Sequence, residues 1–194
     1  MTRPVILHLL GWIWSIFGIY WVLVGFRAKQ SQTSESPLYR VFRWSVLAIT
    51  FALLFARWTA IGPLGVWFRP ENLLLCDIGF VLAICGMVLA LWARIHLGQY
   101  WSDKVVLKVD HQLIRSGPYA RLRHPIYSGV LLGVAGTAFV VGEWRGVLAF
   151  VILFANYWIK ARREDQILAN AFGAGFAEHR QNAGFLLPNL RSRA

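Results

Sequence analysis

Charge is scarce in this chain, and negative charge scarcest. Its 194 residues carry 9 Asp and Glu against 20 Lys and Arg, and charged residues make up only 15%. A soluble domain has about a quarter of its residues charged. The few here are bunched, leaving long runs with almost none. Such runs are too many to share one aqueous core, which excludes a soluble fold and points to a bilayer as solvent. Cysteine is nearly absent. Cys76 and Cys85 stand nine residues apart in one apolar run. On a helix that is roughly 13 Å along the axis and on opposite faces, so they cannot bond to each other, and the redox compartment stays open. No Gly-x-Gly-x-x-Gly stretch occurs, which excludes a Rossmann-type site. No repeat, low-complexity tract or linker divides residues 1–194, so they read as a single membrane domain.

What is abundant is apolar: 57% of the residues, with 10 tryptophans. Five runs emerge, at about 5–26, 44–62, 73–97, 125–141 and 146–159, and they predict an all-α integral membrane bundle of about five transmembrane helices. The first is too long for a signal peptide, is rich in Trp and Tyr and lacks a small-x-small cleavage site, so it is expected to be a span. The second should end or kink at Gly62-Pro63. The last two are short and suggest a helical hairpin around the turn Gly142-Glu143-Trp144-Arg145.

The net charge of +11 does not call for nucleic acid, because the basic residues flank the apolar runs, where headgroups and the positive-inside rule place them. Residues 27–43, 98–125 and the tail from Lys160 hold fifteen Lys and Arg, whereas the other side has Arg3, Arg69 and Arg145. The expected topology has the N-terminus outside and the C-terminus cytoplasmic. Arg94, one turn from a cytoplasmic helix end, is expected to snorkel to the interface. Arg57 and Asp77 are expected at the outer rim.

The two longest polar segments, 98–127 and 160–188, then share the cytoplasmic face and are joined by the short hairpin, so they must be spatial neighbours. Pro125 suits the first position of a helix, with His124 at the cap and Tyr127 on the first turn. The free N–H groups and positive end of that helix favour an anionic group. In the second segment Glu164, Leu168 and Phe172 fall on one helical stripe, which turns a carboxylate toward the first segment.

Taken in order, Trp101-Ser102, His111-x-Leu113-Ile114, Gly117-Pro118-Tyr119, Arg123-His124-Pro125-x-Tyr127, the acidic pair Glu164-Asp165, Phe172-Gly173 and Leu187-Pro188 resemble the isoprenylcysteine carboxyl methyltransferases and their bacterial relatives. The resemblance implies a helical membrane bundle with a cytoplasmic C-terminal pocket for S-adenosyl-L-methionine, methylating a lipophilic acceptor that enters from the bilayer. It implies cofactor contacts from His111, Gln112, Leu113, Ile114, Tyr119, His124, Pro125, Ile126, Tyr127 and Glu164. Lys160 stands where the family carries a substrate-facing Arg, and Glu164-Asp165 where it carries Glu-Glu. Lysine keeps the charge but loses the planar fork that grips a carboxylate. Arg162 and Arg163 read as headgroup contacts, His8 and His96 as structural residues.

Methyl transfer from a sulfonium is an in-line displacement that needs alignment and exclusion of water more than an acid or base, so no catalytic residue is assigned. Two rival readings remain. One is an NADPH-dependent membrane reductase of sterol-reductase type, which carries a similar Arg-His-Pro-Asn-Tyr-like element where this chain has Ile126. The other is a non-catalytic membrane protein of the same fold. The charge asymmetry makes its own prediction: reporter fusions after Gly142 and at Ala194 should report opposite sides of the membrane, and matching signals would refute the five-span arrangement.

Overall fold

A computed structural model describes residues 2–27, 37–98 and 113–190. The described chain is helical: α1 (Arg3–Arg27), α2 (Pro37–Phe55), α3 (Leu73–Leu97), α4 (Pro125–Val141), α5 (Trp144–Phe172) and α6 (Ala174–Asn182), with short 3-10 turns at Arg57–Thr59, Gly62–Gly65 and Gly117–Ala120. Two isolated bridges, Trp67 with Glu143 and Leu122 with Gly184, are the extended pairings among the described residues. By length and composition α1 (Arg3–Gly25) and α3 are long and apolar enough to cross a bilayer, and α4 is a shorter apolar helix. The outer surfaces of the bundle are apolar: Trp12, Ile16, Trp44, Val88, Trp92 and Val151 are all exposed.

The helix limits follow from local chemistry. Asn72 caps α3, its side chain accepting from the Leu74 N–H at 2.8 Å, which satisfies one of the four orphan donors of a helix start. Pro125 opens α4, and Gly142 closes it in the left-handed conformation (φ 72°) that only glycine adopts cheaply. One turn later α5 begins, and it runs unbroken for 29 residues, carrying the second polar segment on the same rod as the fifth apolar run.

α3 and α4 pack along a seam of small residues. Gly79, Ala83, Gly86 and Ala90 face Gly129, Gly133, Gly136 and Val140, and a Cβ at Gly129 would lie 2.6 Å from both the Ala90 nitrogen and the Gly86 carbonyl oxygen. Small residues let two backbones approach this closely. Trp14 of α1 rests on Gly133 and donates from its indole N–H to Thr137 Oγ1 at 3.0 Å.

At the Gly142 end Arg3, Arg69 and Arg145 form a largely buried knot with Glu143. Glu143 accepts from Arg3 at 2.7 Å and from Arg145 at 2.6 Å. Arg145 donates to the Leu53 carbonyl at 2.8 Å, Arg3 to the Val141 carbonyl at 2.5 Å and Arg69 to the Phe139 carbonyl at 2.7 Å. Cations thus satisfy the orphan carbonyls at the C-termini of α2 and α4. This corrects the sequence-based limit of the second run: α2 ends at Phe55, well before Gly62-Pro63, because Arg145 reaches its last carbonyls and Thr59 Oγ1 donates to Ala56 O at 2.7 Å. It also starts earlier, at Pro37. Arg57 and Asp77 are exposed. Arg94 differs: it is buried, and its guanidinium donates to the carbonyl of Gly98, its helix's own C-cap, at 3.0 Å. Cys76 is buried and Cys85 exposed, both as free thiols.

Candidate functional site

The opposite end of the bundle is built from the start of α4, the continuation of α5 and the chain after α6. Approaching α4, Gly117 takes φ 57° and lies against the His96 ring, where a Cβ would come within 2.7 Å of it. His96 Nε2 meets Ser116 Oγ at 2.8 Å. Tyr119 is buried, stacks on His96 with ring centres 6.4 Å apart, and donates to the Ala93 carbonyl at 3.4 Å. His96 thereby ties the turn to the end of α3.

His124 occupies the N-cap position of α4 but makes no side-chain cap. Its buried ring turns toward α5 instead, with Nε2 2.9 Å from Asp165 Oδ1 and Nδ1 3.4 Å from Glu164 Oε2. Arg123 Nη2 meets the other Asp165 oxygen at 3.3 Å. The carboxylates favoured near this helix start are thus supplied by the chain itself. Tyr127 stacks on the imidazole (5.6 Å, 12°), Tyr157 packs on Tyr127 at 4.8 Å, and Lys160 Nζ stands 5.4 Å over the Tyr127 ring. Lys160 is itself buried. A cation over an aromatic face is an attraction that grows with desolvation.

The segment after α6 closes this cluster from the side. Arg123 N–H donates to Gly184 O at 2.9 Å, and the N–H groups of Gly184 and Asn189 both donate to Arg121 O at 3.0 Å. Ser128 Oγ donates to Leu186 O at 2.8 Å. These bonds set the Phe185 ring edge-on to His124 (5.3 Å) and to Trp158 (4.9 Å), with the Arg123 and Arg162 guanidinium groups 5.3 and 5.6 Å from its centre. Arg115 anchors α6 through Glu178 and the Gly175 carbonyl, both at 2.7 Å.

Electrostatics favour a charged clamp. Burial lowers the His124 pKa, but hydrogen bonds to Asp165 and Glu164 and the charges of both outweigh it and hold the imidazole above its ordinary value. Burial raises the Glu164 pKa, but the hydrogen bond and charge of His124, the Lys160 charge and the Tyr127 hydroxyl outweigh it and hold the carboxyl below its ordinary value. Nε2 shares a hydrogen bond with Asp165 at 2.9 Å, and Nδ1 faces Glu164 at an ion-pair distance of 3.4 Å, an arrangement that favours the protonated ring.

Of the residues singled out in the sequence, His124, Tyr127, Lys160 and Glu164 come together. Pro125 is buried behind them, and Ile126 is half-buried. Tyr119 lies in the adjacent turn, and Leu113 and Ile114 lead into it, half-buried. His111 and Gln112 lie outside the described residues. Four members were not singled out as site residues: Arg123, Tyr157, Asp165 and Phe185. Tyr157 was legible in principle, since it precedes Lys160 by three and Glu164 by seven, the spacing of one helix face. Phe185 was not, because a loop residue carries no periodicity.

The sequence pattern of the phospholipid methyltransferase family matches residues 75–175, from α3 into α6. The chain belongs to that family. It is 31% identical over 158 residues to the cobalt-zinc-cadmium resistance protein CzcN of Cupriavidus metallidurans, covering 78% of this chain and 65% of that protein. It is 26% identical to a probable protein-S-isoprenylcysteine O-methyltransferase of Oryza sativa subsp. indica over 87% of each. The solved structure of the eukaryotic intramembrane Ras methyltransferase, isoprenylcysteine carboxyl methyltransferase, has the same fold with a TM-score of 0.56 at 22% identity. That match covers 81% of this chain and 54% of that one. The chain therefore spans about half to two thirds of the length of some of the relatives it matches. The membrane-bundle fold expected from the sequence is the fold of this neighbour.

The clamp predicts a pH signature. The raised His124 pKa makes its contribution complete below the ordinary value of 6.5 and lost as pH climbs through the higher folded-state value. The lowered Glu164 pKa makes its contribution complete above the ordinary value of 4.5 and lost as pH falls through the lower folded-state value. In thermal unfolding in detergent, His124→Gln should therefore cost roughly 1.5–3 kcal/mol near pH 6, and the gap to wild type should narrow as pH rises. A gap constant from about pH 6 to 9 would mean a neutral ring.

Proposed function

We propose that the protein is an S-adenosyl-L-methionine-dependent methyltransferase acting on a lipophilic acceptor at the membrane. The observation that carries this reading is the joining of Arg123, His124 and Tyr127 to the acidic pair Glu164-Asp165 in one cluster at the start of α4, in a chain of the phospholipid methyltransferase family.

The residues present suit that cofactor. Glu164 is held ionised, and its side chain keeps 31% of its surface exposed beside Tyr127, which fits a ligand bearing ammonium and sulfonium groups. Arg123 Nε is a buried donor with no acceptor among the described residues, and a ligand carboxylate would satisfy it. When bound, the cofactor supplies an activated methyl group. Glu164 and Arg123 would hold its polar end, with Tyr127 and the segments around Tyr119, Pro125 and Ile126 as its wall. His111, Gln112, Leu113 and Ile114 complete the set by resemblance.

Lys160 would orient the acceptor. Its ammonium lies on the Tyr127 ring, one helical turn before Glu164, so it can attract an acceptor's anion or dipole as a point charge, without the bidentate grip of an arginine. Phe185 and its segment would keep water from the cluster. The acceptor we envisage is isoprenylcysteine-carboxylate-like, or another hydrophobic small molecule or lipid. The five helices α1 to α5 would span the bilayer with this end cytoplasmic.

Thermal unfolding in detergent separates this reading from an NADPH-dependent reductase. S-adenosylmethionine at 100 times its dissociation constant should stabilise by about 2.7 kcal/mol, or roughly 5–10 °C for a chain of this size, and NADPH should do nothing. Incubation with labelled methyl donor and a native lipid extract should then give a labelled lipophilic product by mass spectrometry. A shift with NADPH alone would overturn the methyltransferase.

A further inference from the structure

The two carboxylates of the acidic pair are not equivalent. We infer that Asp165 is the positioning residue of the pair: it fixes Arg123 and His124 so that Glu164 is left facing the cofactor. This rests on the methyltransferase reading of Glu164 above. Each Asp165 oxygen is committed, Oδ1 to His124 Nε2 at 2.9 Å and Oδ2 to Arg123 Nη2 at 3.3 Å. Its partners are close to buried, at 4% and 10% side-chain exposure, and Asp165 itself is at 15%. Glu164 holds the same ring more loosely, at 3.4 Å, and its side chain is twice as exposed as that of Asp165, 31% against 15%. Consecutive helical residues point about 100° apart, so one ring set between them can be gripped from behind by one carboxylate while the other lines accessible space. Without Asp165 the Arg123 guanidinium would lose its carboxylate and the buried imidazole would keep only the looser Glu164 at 3.4 Å, so the aspartate's charge is what both cations share.

The groups around His124 can be named. Asp165 and Glu164 face it from α5, with Lys160 beyond the Tyr127 ring. Tyr127 covers it from α4, Arg123 adjoins it in the chain, Phe185 closes its edge, and the His179 imidazole of α6 is within electrostatic range. The positioning role therefore has a readout that needs no cofactor, the titration of His124 itself.

Imidazole-labelled protein in detergent, with the His124 signal assigned by its loss in His124→Gln, gives that titration by NMR. Asp165→Asn keeps the side-chain shape, removes the charge and, whichever way the amide turns, sets its N–H against one of the two donors that the aspartate accepted from. The His124 midpoint should move to lower pH, and the affinity for S-adenosylhomocysteine by calorimetry should fall about tenfold. Asp165→Glu retains the carboxylate and should keep both the midpoint and, within about threefold, the affinity. Arg123→Gln leaves His124 on Asp165, so its midpoint should not fall. If Asp165→Asn does not fold, these two variants decide. A midpoint unmoved by Asp165→Asn, a fall in Arg123→Gln, or a shifted midpoint with unchanged affinity would each overturn the assignment. Should wild type and every variant fail to bind S-adenosylhomocysteine while the titrations move as stated, the methyltransferase reading falls and the grip of Asp165 on His124 stands.

Discussion

An imidazole ring with 4% of its side-chain surface exposed can stay charged only if the protein replaces the water it has lost. In this chain two adjacent carboxylates on α5 do so, and the rest of the site depends on that exchange. Buried ion pairs are a poor way to gain stability, because desolvation consumes most of the attraction. Elsewhere the glycine–alanine seam between α3 and α4 and the arginine knot around Glu143 hold the helices together. What the clamp provides is register. It sets the first turn of α4 against one turn of α5, and with it Tyr127, Lys160 and the exposed side of Glu164.

The two ends of the bundle use charge in opposite ways. At the Gly142 end, arginines cap helix C-termini, and the carboxylate of Glu143, lifted by burial but pulled lower by Arg145 and Arg3, serves to anchor them. The groups of that knot are spent on the fold. At the His124 end the helix N-terminus is left without a side-chain cap, the imidazole is diverted to α5, and Arg123 keeps a donor without an acceptor among the described residues. Under the proposed function, that donor is the capacity a ligand would take up.

The apolar runs and their limits were legible from sequence where local chemistry decides them. The limits of α3 and α4 agree with the runs read from hydropathy, because caps at Asn72, Pro125 and Gly142 are local signals. The end of α2 was not legible, because it is set by Arg145, about ninety residues away in the chain. Arg94 was misplaced for a related reason, since a buried guanidinium bonded to its own helix cap looks the same in sequence as one reaching for headgroups. At the site, the pairing of the two polar segments followed from chain connectivity alone. The division between Glu164 and Asp165 did not, because neighbours in sequence carry identical chemistry and only the direction of each side chain separates them. Phe185 and Tyr157 enter through packing across elements, which no single-helix pattern records.

The central claim is that His124 and Glu164 act as one unit on one ligand. Calorimetric affinities for S-adenosylhomocysteine in the wild type, His124→Gln, Glu164→Gln and the double variant test it most directly. Each single variant should lose about 1.5–3 kcal/mol, with the double variant losing clearly less than the sum, as expected for residues that share one network. Unchanged affinity in both single variants, with the bundle still folded, would contradict it.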